Sequence, residues 1–274
     1  SYKIRLYLGE TPVTLEATPS AQRPAPPTLS NLTPPVTADV AQSFRKKDTT
    51  LWACPGLIKI SPTSTLAMHD DIGEASSDAN VPAYKHRNAV WDGQAVTLAG
   101  ARGETASFQL CIENTSGQPM ALHETTASVE LKTPRGEAFD PANIDTFKLW
   151  YATNRGRQWQ PAYCIPQSAE YPAPRVPDQK LQALYFDVFI PTSAVPGLYK
   201  GTVRVSIPSA MVSGRRVMID KALPITLIVH DFQLPDQLSF WPELNAYNIP
   251  ANLHDYHRLP HPQRTVSNHS RLPP

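Results

Sequence analysis

From Tyr199 to Ile207 the chain alternates without a break. Tyr199, Gly201, Val203, Val205 and Ile207 fall on one side, and Lys200, Thr202, Arg204 and Ser206 on the other. A strict period of two describes a strand with one dry face and one wet face. It is incompatible with the 3.6-residue repeat of a helix. Just upstream, Pro196-Gly197 suits the centre of a type II turn, where proline presets φ and glycine takes a positive one. The stretch predicts a β-sandwich rather than a helix bundle.

The same pattern recurs along the chain. Residues 105–113 put Phe108, Leu110 and Ile112 on one face, and residues 127–132 do the same for Val129 and Leu131. Residues 147–152 group Phe147, Leu149 and Tyr151, and residues 181–190 group Leu184, Phe186, Val188 and Ile190. Shorter strand signals lie at 3–8, 13–17, 51–53, 57–60, 96–99, 216–220, 224–230 and 238–245. The 29 prolines among 274 residues oppose long helices and suit loops and edge strands. The one helix-like start, residues 253–259, is stopped by Pro260 and Pro262. These features together predict an all-β fold, an antiparallel β-sandwich of immunoglobulin-like or jelly-roll type.

Composition shifts mark the organisation. Residues 1–17 read as strands of a preceding module, and residues 18–48 as a proline-rich, semi-rigid linker. Residues 49–235 form the sandwich, with a long polar loop or insertion at 62–92. Residues 236–274 read as a partly disordered tail. The chain opens on Ser1 with no signal-peptide layout, which suggests more sequence upstream. A net charge of +1 gives no electrostatic case for nucleic acid or anionic membrane. The apolar run 225–229 is far too short to span a bilayer. Cys54, Cys111 and Cys164 have neither metal-ligand nor redox spacing and read as buried thiols. A single disulfide in an oxidising compartment stays open as the alternative.

Four segments carry a family likeness. They are Leu51-Trp-Ala-Cys-Pro-Gly-Leu-Ile-Lys-Ile60, Ala101-Arg-Gly-Glu-Thr-Ala-Ser-Phe-Gln-Leu-Cys-Ile112, Gln182-Ala-Leu-Tyr-Phe-Asp-Val-Phe-Ile-Pro191 continued by Val195-Pro-Gly-Leu-Tyr-Lys-Gly201, and His230-Asp-Phe-Gln-Leu-Pro235. In order and spacing they resemble the N-terminal β-sandwich of glycoside hydrolase family 123-like proteins, which carry the domain of unknown function 4091. The resemblance implies a (β/α) barrel after the sandwich, holding the carboxylates for hydrolysis of N-acetylhexosamine-containing glycans. Residues 241–274 are too few to close such a barrel. On this resemblance residues 236–274 are the start of a barrel, and the chain is a fragment cut before its catalytic domain. The fragment is then an accessory domain of carbohydrate metabolism, not catalytic alone, with a hexosaminidase-like parent. Its partners are the missing barrel and a glycan, with no cofactor, and its location is secreted, periplasmic or on the cell surface. The rival is a free-standing carbohydrate- or protein-binding module of a secreted or surface protein.

No residue is assigned a catalytic role and none a metal. Asp70, Asp71 and Glu74 read as solvated loop charge. Glu104 reads as a structural group at a strand start, bonding backbone or pairing with Arg102. His254, His257 and His261 share a helical face, but Pro260 interrupts it, and a histidine-bound metal ranks last among the readings. The resemblance places Asn245 and Tyr247 at the end of a first barrel strand, where they would meet sugar hydroxyls. Trp159 and Tyr163, on a proline-stiffened loop at 154–177, suit either stacking on a sugar or covering a neighbouring domain. Packing over the open end of the sandwich or against the missing barrel is the favoured role for that loop.

Overall fold

A computed structural model of the chain describes residues 4–8, 11–15, 49–68, 85–154, 156–170, 176–212, 215–235, 243–244 and 266–267. The chain divides into two units, Ser1–Pro34 and Pro35–Pro274. The first holds a hairpin of β1 (Ile4–Leu8) and β2 (Thr11–Leu15), paired antiparallel.

The second unit is built on two sheets. Its strands are β3 (Thr49–Pro55), β4 (Val96–Arg102), β5 (Thr105–Asn114), β6 (Thr126–Lys132), β7 (Ile144–Thr153), β8 (Trp159–Pro166), β9 (Leu181–Phe189), β10 (Gly197–Val212) and β11 (Arg215–Gln233). One sheet runs β4-β11-β10-β6 and the other β3-β5-β9-β7-β8. All these pairs are antiparallel except β4 with β11. A short parallel pair, β12 (Glu243–Leu244) with β13 (Val266–Ser267), also belongs to this unit. The fold is the all-β sandwich that the alternation predicts.

The dry faces meet as that pattern requires. Along β6, Ala127, Val129 and Leu131 are buried while the residues between them are exposed. In β10, Tyr199, Val203, Val205 and Ile207 are buried, and in β9 Leu184, Phe186 and Val188 oppose them with no exposure. Phe108 of β5 stacks on Phe186 at 4.7 Å between ring centres. The Tyr199 hydroxyl donates back to the Val195 carbonyl at 2.8 Å, tying the start of β10 to the preceding loop.

Several local predictions are corrected. The hydrogen-bonded turn closes from Ala194 N–H to the Pro191 carbonyl and centres on Thr192-Ser193, four residues before Pro196-Gly197. Gly197 has the positive φ expected of it, +138, but at the start of β10, where an added Cβ would stand 3.0 Å from the Pro134 ring. The strand signals at 216–220 and 224–230 merge into one long β11. Pro224 does not break it, because β4 begins pairing only at Ile225 and the missing N–H faces an open flank. The segment read as a loop at 154–177 contains β8. Its prolines Pro161 and Pro166 are tolerated because β8 is the sheet's edge strand.

The five-stranded sheet is also covered on its second face. Trp52, Cys54, Cys111 and Ala183 point away from the four-stranded sheet, yet each is at most 2% exposed. Residues 56–68 and 85–91 form this cover; they take in the predicted strand at 57–60, which is irregular here, and both ends of the predicted polar insertion at 62–92. Lys85 fastens it, donating to Thr65 Oγ1 at 2.6 Å and to Glu113 Oε2 at 3.0 Å, with its ammonium 5.6 Å from the Trp52 ring centre. Asn88 Nδ2 donates to the Ala53 carbonyl at 2.7 Å, and the Trp91 indole donates to the Lys85 carbonyl at 3.1 Å. With both side chains about 20% exposed, the pair is partly buried, and water screens it less than a fully exposed pair.

Strands β7 and β9 pair only as far as Lys148 opposite Leu184. Beyond that point side chains replace the ladder. Gln182 Nε2 donates to the Leu149 carbonyl and Ala183 N–H donates to the Tyr151 hydroxyl, each at 2.9 Å. Burial holds the Tyr151 phenol well above its ordinary pKa, so it stays neutral there.

Gly201 pairs with Leu131 where β10 runs beside β6. A side chain there would overlap the Glu130 carbonyl and crowd Leu131. Gly201→Ala is expected to lower stability by about 3 kcal/mol, read as a fall in the urea midpoint. An unchanged midpoint would show that β6 can move aside freely.

Candidate functional site

The register across β5, β9 and β7 lines up polar residues on the second face of the five-stranded sheet. Ser107 stands opposite Asp187, and Asp187 opposite Asp145. In the adjoining row Gln109 stands opposite Tyr185, Tyr185 opposite Phe147, and Phe147 opposite Pro166. These rows emerge from the apolar part of the face, beside the turn at Pro55-Gly56.

The Ser107 hydroxyl donates to Asp187 Oδ1. Gln109 is 2% exposed and directs Nε2 at the carbonyls of Gly56 and Ile58, at 2.7 and 2.6 Å, with that of Pro55 at 3.3 Å. A Cβ on Gly56 would stand 2.9 Å from the Tyr185 hydroxyl and 3.1 Å from Ser107 Cβ. Glycine at this position therefore lets the turn rest directly on the polar rows. Three segments far apart in sequence meet here: residues 54–58, 107–109 and 185–187.

Burial pushes the Asp187 carboxyl above the ordinary aspartate range, and the neighbouring charge of Asp145 pushes it the same way. Hydrogen bonds from Ser107 and Tyr185 oppose the shift. Burial likewise raises the Tyr185 phenol and the Cys164 thiol, with Asp187 adding to both. Two carboxylates on adjacent strands repel directly. The cluster thus offers hydrogen-bonding groups and one crowded acid pair on an open sheet face. It does not form a cleft able to hold a sugar ring between two carboxylates, as glycoside cleavage requires. Two clefts among the described residues, of about 630 and 480 Å³, are lined by other residues. The larger includes Gln167, Arg204, Asp220 and Lys221, and the Lys221 ammonium donates to the Thr49 carbonyl.

The residues singled out from sequence fall in different places. Trp150 pairs with Tyr163 and Tyr151 with Pro161, so Ala162 is an extra residue in β8. That bulge reverses the alternation. Trp159 takes the side of Leu149 and Tyr151 and packs on the core, whereas Tyr163 takes the side of Trp150. Tyr163 is 60% exposed, with its ring 5.5 Å from that of Trp150. The two aromatics therefore stand on opposite faces and make no common stacking platform. Glu104 accepts from Ala101 N–H at 2.8 Å, the backbone role expected of it. Asn245, Tyr247, Asp70, Asp71, Glu74, His254, His257 and His261 lie outside the described residues. Among the described residues no group of three or more His, Cys, Asp or Glu is placed to hold a metal. No described helix is long and apolar enough to cross a membrane.

Ser107, Gln109, Asp145, Tyr185 and Asp187 were not singled out as functional candidates from sequence. Four of them belong to the segments that carry the family resemblance, and that was their only signal. Their convergence depends on register, which spacing alone does not reveal.

No family model matches the sequence, and no curated protein matches it. Among solved structures, a family 123 glycoside hydrolase from Clostridium perfringens is similar at 11% identity and a TM-score of 0.45. The match covers 77% of this chain and 32% of that chain, so the present chain spans about a third of that enzyme. A PapD-like domain of a human protein is similar at 14% identity, covering 52% of this chain and 83% of that one, with a TM-score of 0.22. A type I cohesin from Pseudobacteroides cellulosolvens is similar at 9% identity, covering 54% and 97%, with a TM-score of 0.23. These are weak likenesses to a glycoside hydrolase and to β-sandwich binding domains, and they say nothing of activity.

Gln109→Leu would leave the carbonyls of Gly56 and Ile58 without their donor. A loss of about 2 kcal/mol in unfolding free energy is expected, and an unaltered urea midpoint would mean water replaces the amide. For Asp187 the sign runs the other way from a salt-bridged carboxylate. A raised folded-state pKa means that the folded chain holds the proton more tightly, so this group's contribution falls as pH rises above the ordinary aspartate value. Asp187→Asn is therefore expected to hold or raise the melting temperature at pH 7 and to flatten its decline from acid to neutral pH. A variant markedly less stable at pH 7 would contradict that assignment.

Proposed function

We propose that this chain is the non-catalytic, accessory β-sandwich of a glycoside hydrolase-like protein acting on N-acetylhexosamine-containing glycans. The observation that carries the reading is convergence. Residues 54–58, 107–109 and 185–187 come from three of the segments that resemble family 123-type sandwiches, and they interlock through Gly56, Ser107, Gln109, Tyr185 and Asp187. The segment ending at Pro235 touches the second of these segments at its start, on the other sheet, where Leu234 N–H donates to the Arg102 carbonyl at 2.9 Å.

On this reading the sandwich supports and shapes a catalytic domain, and the half-exposed rows of the second face form part of the docking surface. The same reading makes the protein secreted, periplasmic or bound at the cell surface, as the family resemblance implies. Asn245 and Tyr247 serve glycan contact within the catalytic domain rather than in the sandwich. The competing reading, a free-standing binding module, draws its support from Tyr163, exposed beside Trp150 on the edge strand.

Two assays on the 274-residue chain separate these readings. Incubation with chromogenic β-N-acetylhexosaminides is expected to give no turnover above buffer, and measurable hydrolysis that survives repurification would end the accessory reading. A glycan array is expected to show no binding. Binding that is lost in Tyr163→Ala would establish the module instead.

A further inference from the structure

The second face of the five-stranded sheet brings two cysteines together. In the β3–β5 register Cys54 stands opposite Gln109 and Trp52 opposite Cys111. Cys54 and Cys111 are therefore diagonal neighbours on adjacent strands, with side chains on the same face. The right-handed twist of a sheet closes one of the two diagonals. Here the two thiols are near enough that Cys54 raises the Cys111 pKa. Both residues have no exposure, between the sheet and the cover formed by residues 56–68 and 85–91.

We propose that Cys54 and Cys111 are a disulfide site, closed when the chain folds under oxidising conditions. The structure holds both as thiols, and Cys164 as a third. Cys164 does not compete. It sits on β8, three strand spacings from β5, or about 14 Å, while a disulfide needs Cα atoms within about 7 Å. The link closes a loop that contains the whole described cover. It limits how far that long, irregular segment can stray in the unfolded chain.

The chemistry balances with a small-molecule disulfide such as oxidised glutathione. One cysteine thiolate attacks the glutathione sulfur–sulfur bond and expels a glutathione thiolate, leaving a mixed disulfide. The second cysteine thiolate attacks the protein sulfur and expels the other glutathione. Two electrons pass from the cysteines to the oxidant, and the two cysteine protons end on the two glutathione thiols. Burial pushes the Cys111 thiol well above its ordinary pKa, and a neutral thiol does not attack. Exchange therefore belongs to the stage when β3 and β5 have paired but the cover has not yet closed. The inference is independent of the functional reading above.

The test is to unfold the 274-residue chain with reductant and refold it in a reduced and oxidised glutathione buffer. Free thiols are then alkylated in denaturant and the peptides mapped by mass spectrometry. The expected product carries a Cys54–Cys111 linked peptide, is about 2 Da lighter than the reduced chain before alkylation, and is alkylated at Cys164. Reductant should lower its melting temperature by about 5–15 °C, and Cys111→Ala should abolish that sensitivity. Cys164→Ser should leave the link intact. Alkylation of all three cysteines, or any link through Cys164, overturns the proposal. If the chain does not refold, the same map is made on protein exported to a bacterial periplasm, where free Cys54 and Cys111 overturn it equally.

Discussion

The five-stranded sheet must exclude water from both of its faces, and most of the second unit is arranged around that demand. Leu51, Trp52, Ala53 and Cys54 are consecutive and all buried, which no half-solvated strand can satisfy. One parity is covered by the four-stranded sheet. The other is covered by irregular chain, whose backbone polar groups need partners once they leave water. Gln109 and Asn88 supply donors to carbonyls at this interface, and the Lys85–Glu113 pair anchors the cover at its far side. Apolar contact supplies the drive, and these few polar contacts fix where the cover sits.

The cover does not extend over the whole face. Beyond Gly56 the rows of Ser107, Asp187 and Asp145, and of Tyr185 and Phe147, are only partly shielded. Partial burial is the reason the Asp187 carboxyl titrates high while Ser107 and Tyr185 hold it in place. A sheet face that is neither dry nor fully wet, with aromatic rings beside hydrogen-bonding groups, is suited to lie against another surface. This property links the fold to the accessory role proposed for it. The same face accounts for the cysteine pair, since Cys54 and Cys111 lie in its driest part.

Edges are managed differently at the two ends. The edge strand β8 carries two prolines and a bulge at Ala162, features that discourage pairing with another chain. At β6, the Gln167 side chain accepts from Ala127 N–H at 2.8 Å and donates to the Ala127 carbonyl at 2.9 Å, standing in for a missing strand. The residue after β8 thus protects the edge of the opposite sheet, and the sandwich is stitched along one side by a single amide.

The amino-acid sequence alone determined the class of fold and most of the strands. Alternation is a local property, and residues such as Val129, Leu131, Val203, Val205, Phe186 and Val188 announce their buried side wherever they are placed. It was equally open about the structural carboxylate at Glu104, whereas the need for glycine at 201 came only from the approach of β6. The proline-bearing strand β8 was hidden, because proline argues against a strand until the strand is known to be at an edge. The separation of Trp159 from Tyr163 was hidden too, since one bulged residue reverses a face without changing the composition. Only the tertiary structure placed Ser107 beside Asp187 and Cys54 beside Cys111. Those meetings are set by the register between strands distant in the chain, and register is decided by how two faces exclude water together, which no single segment encodes.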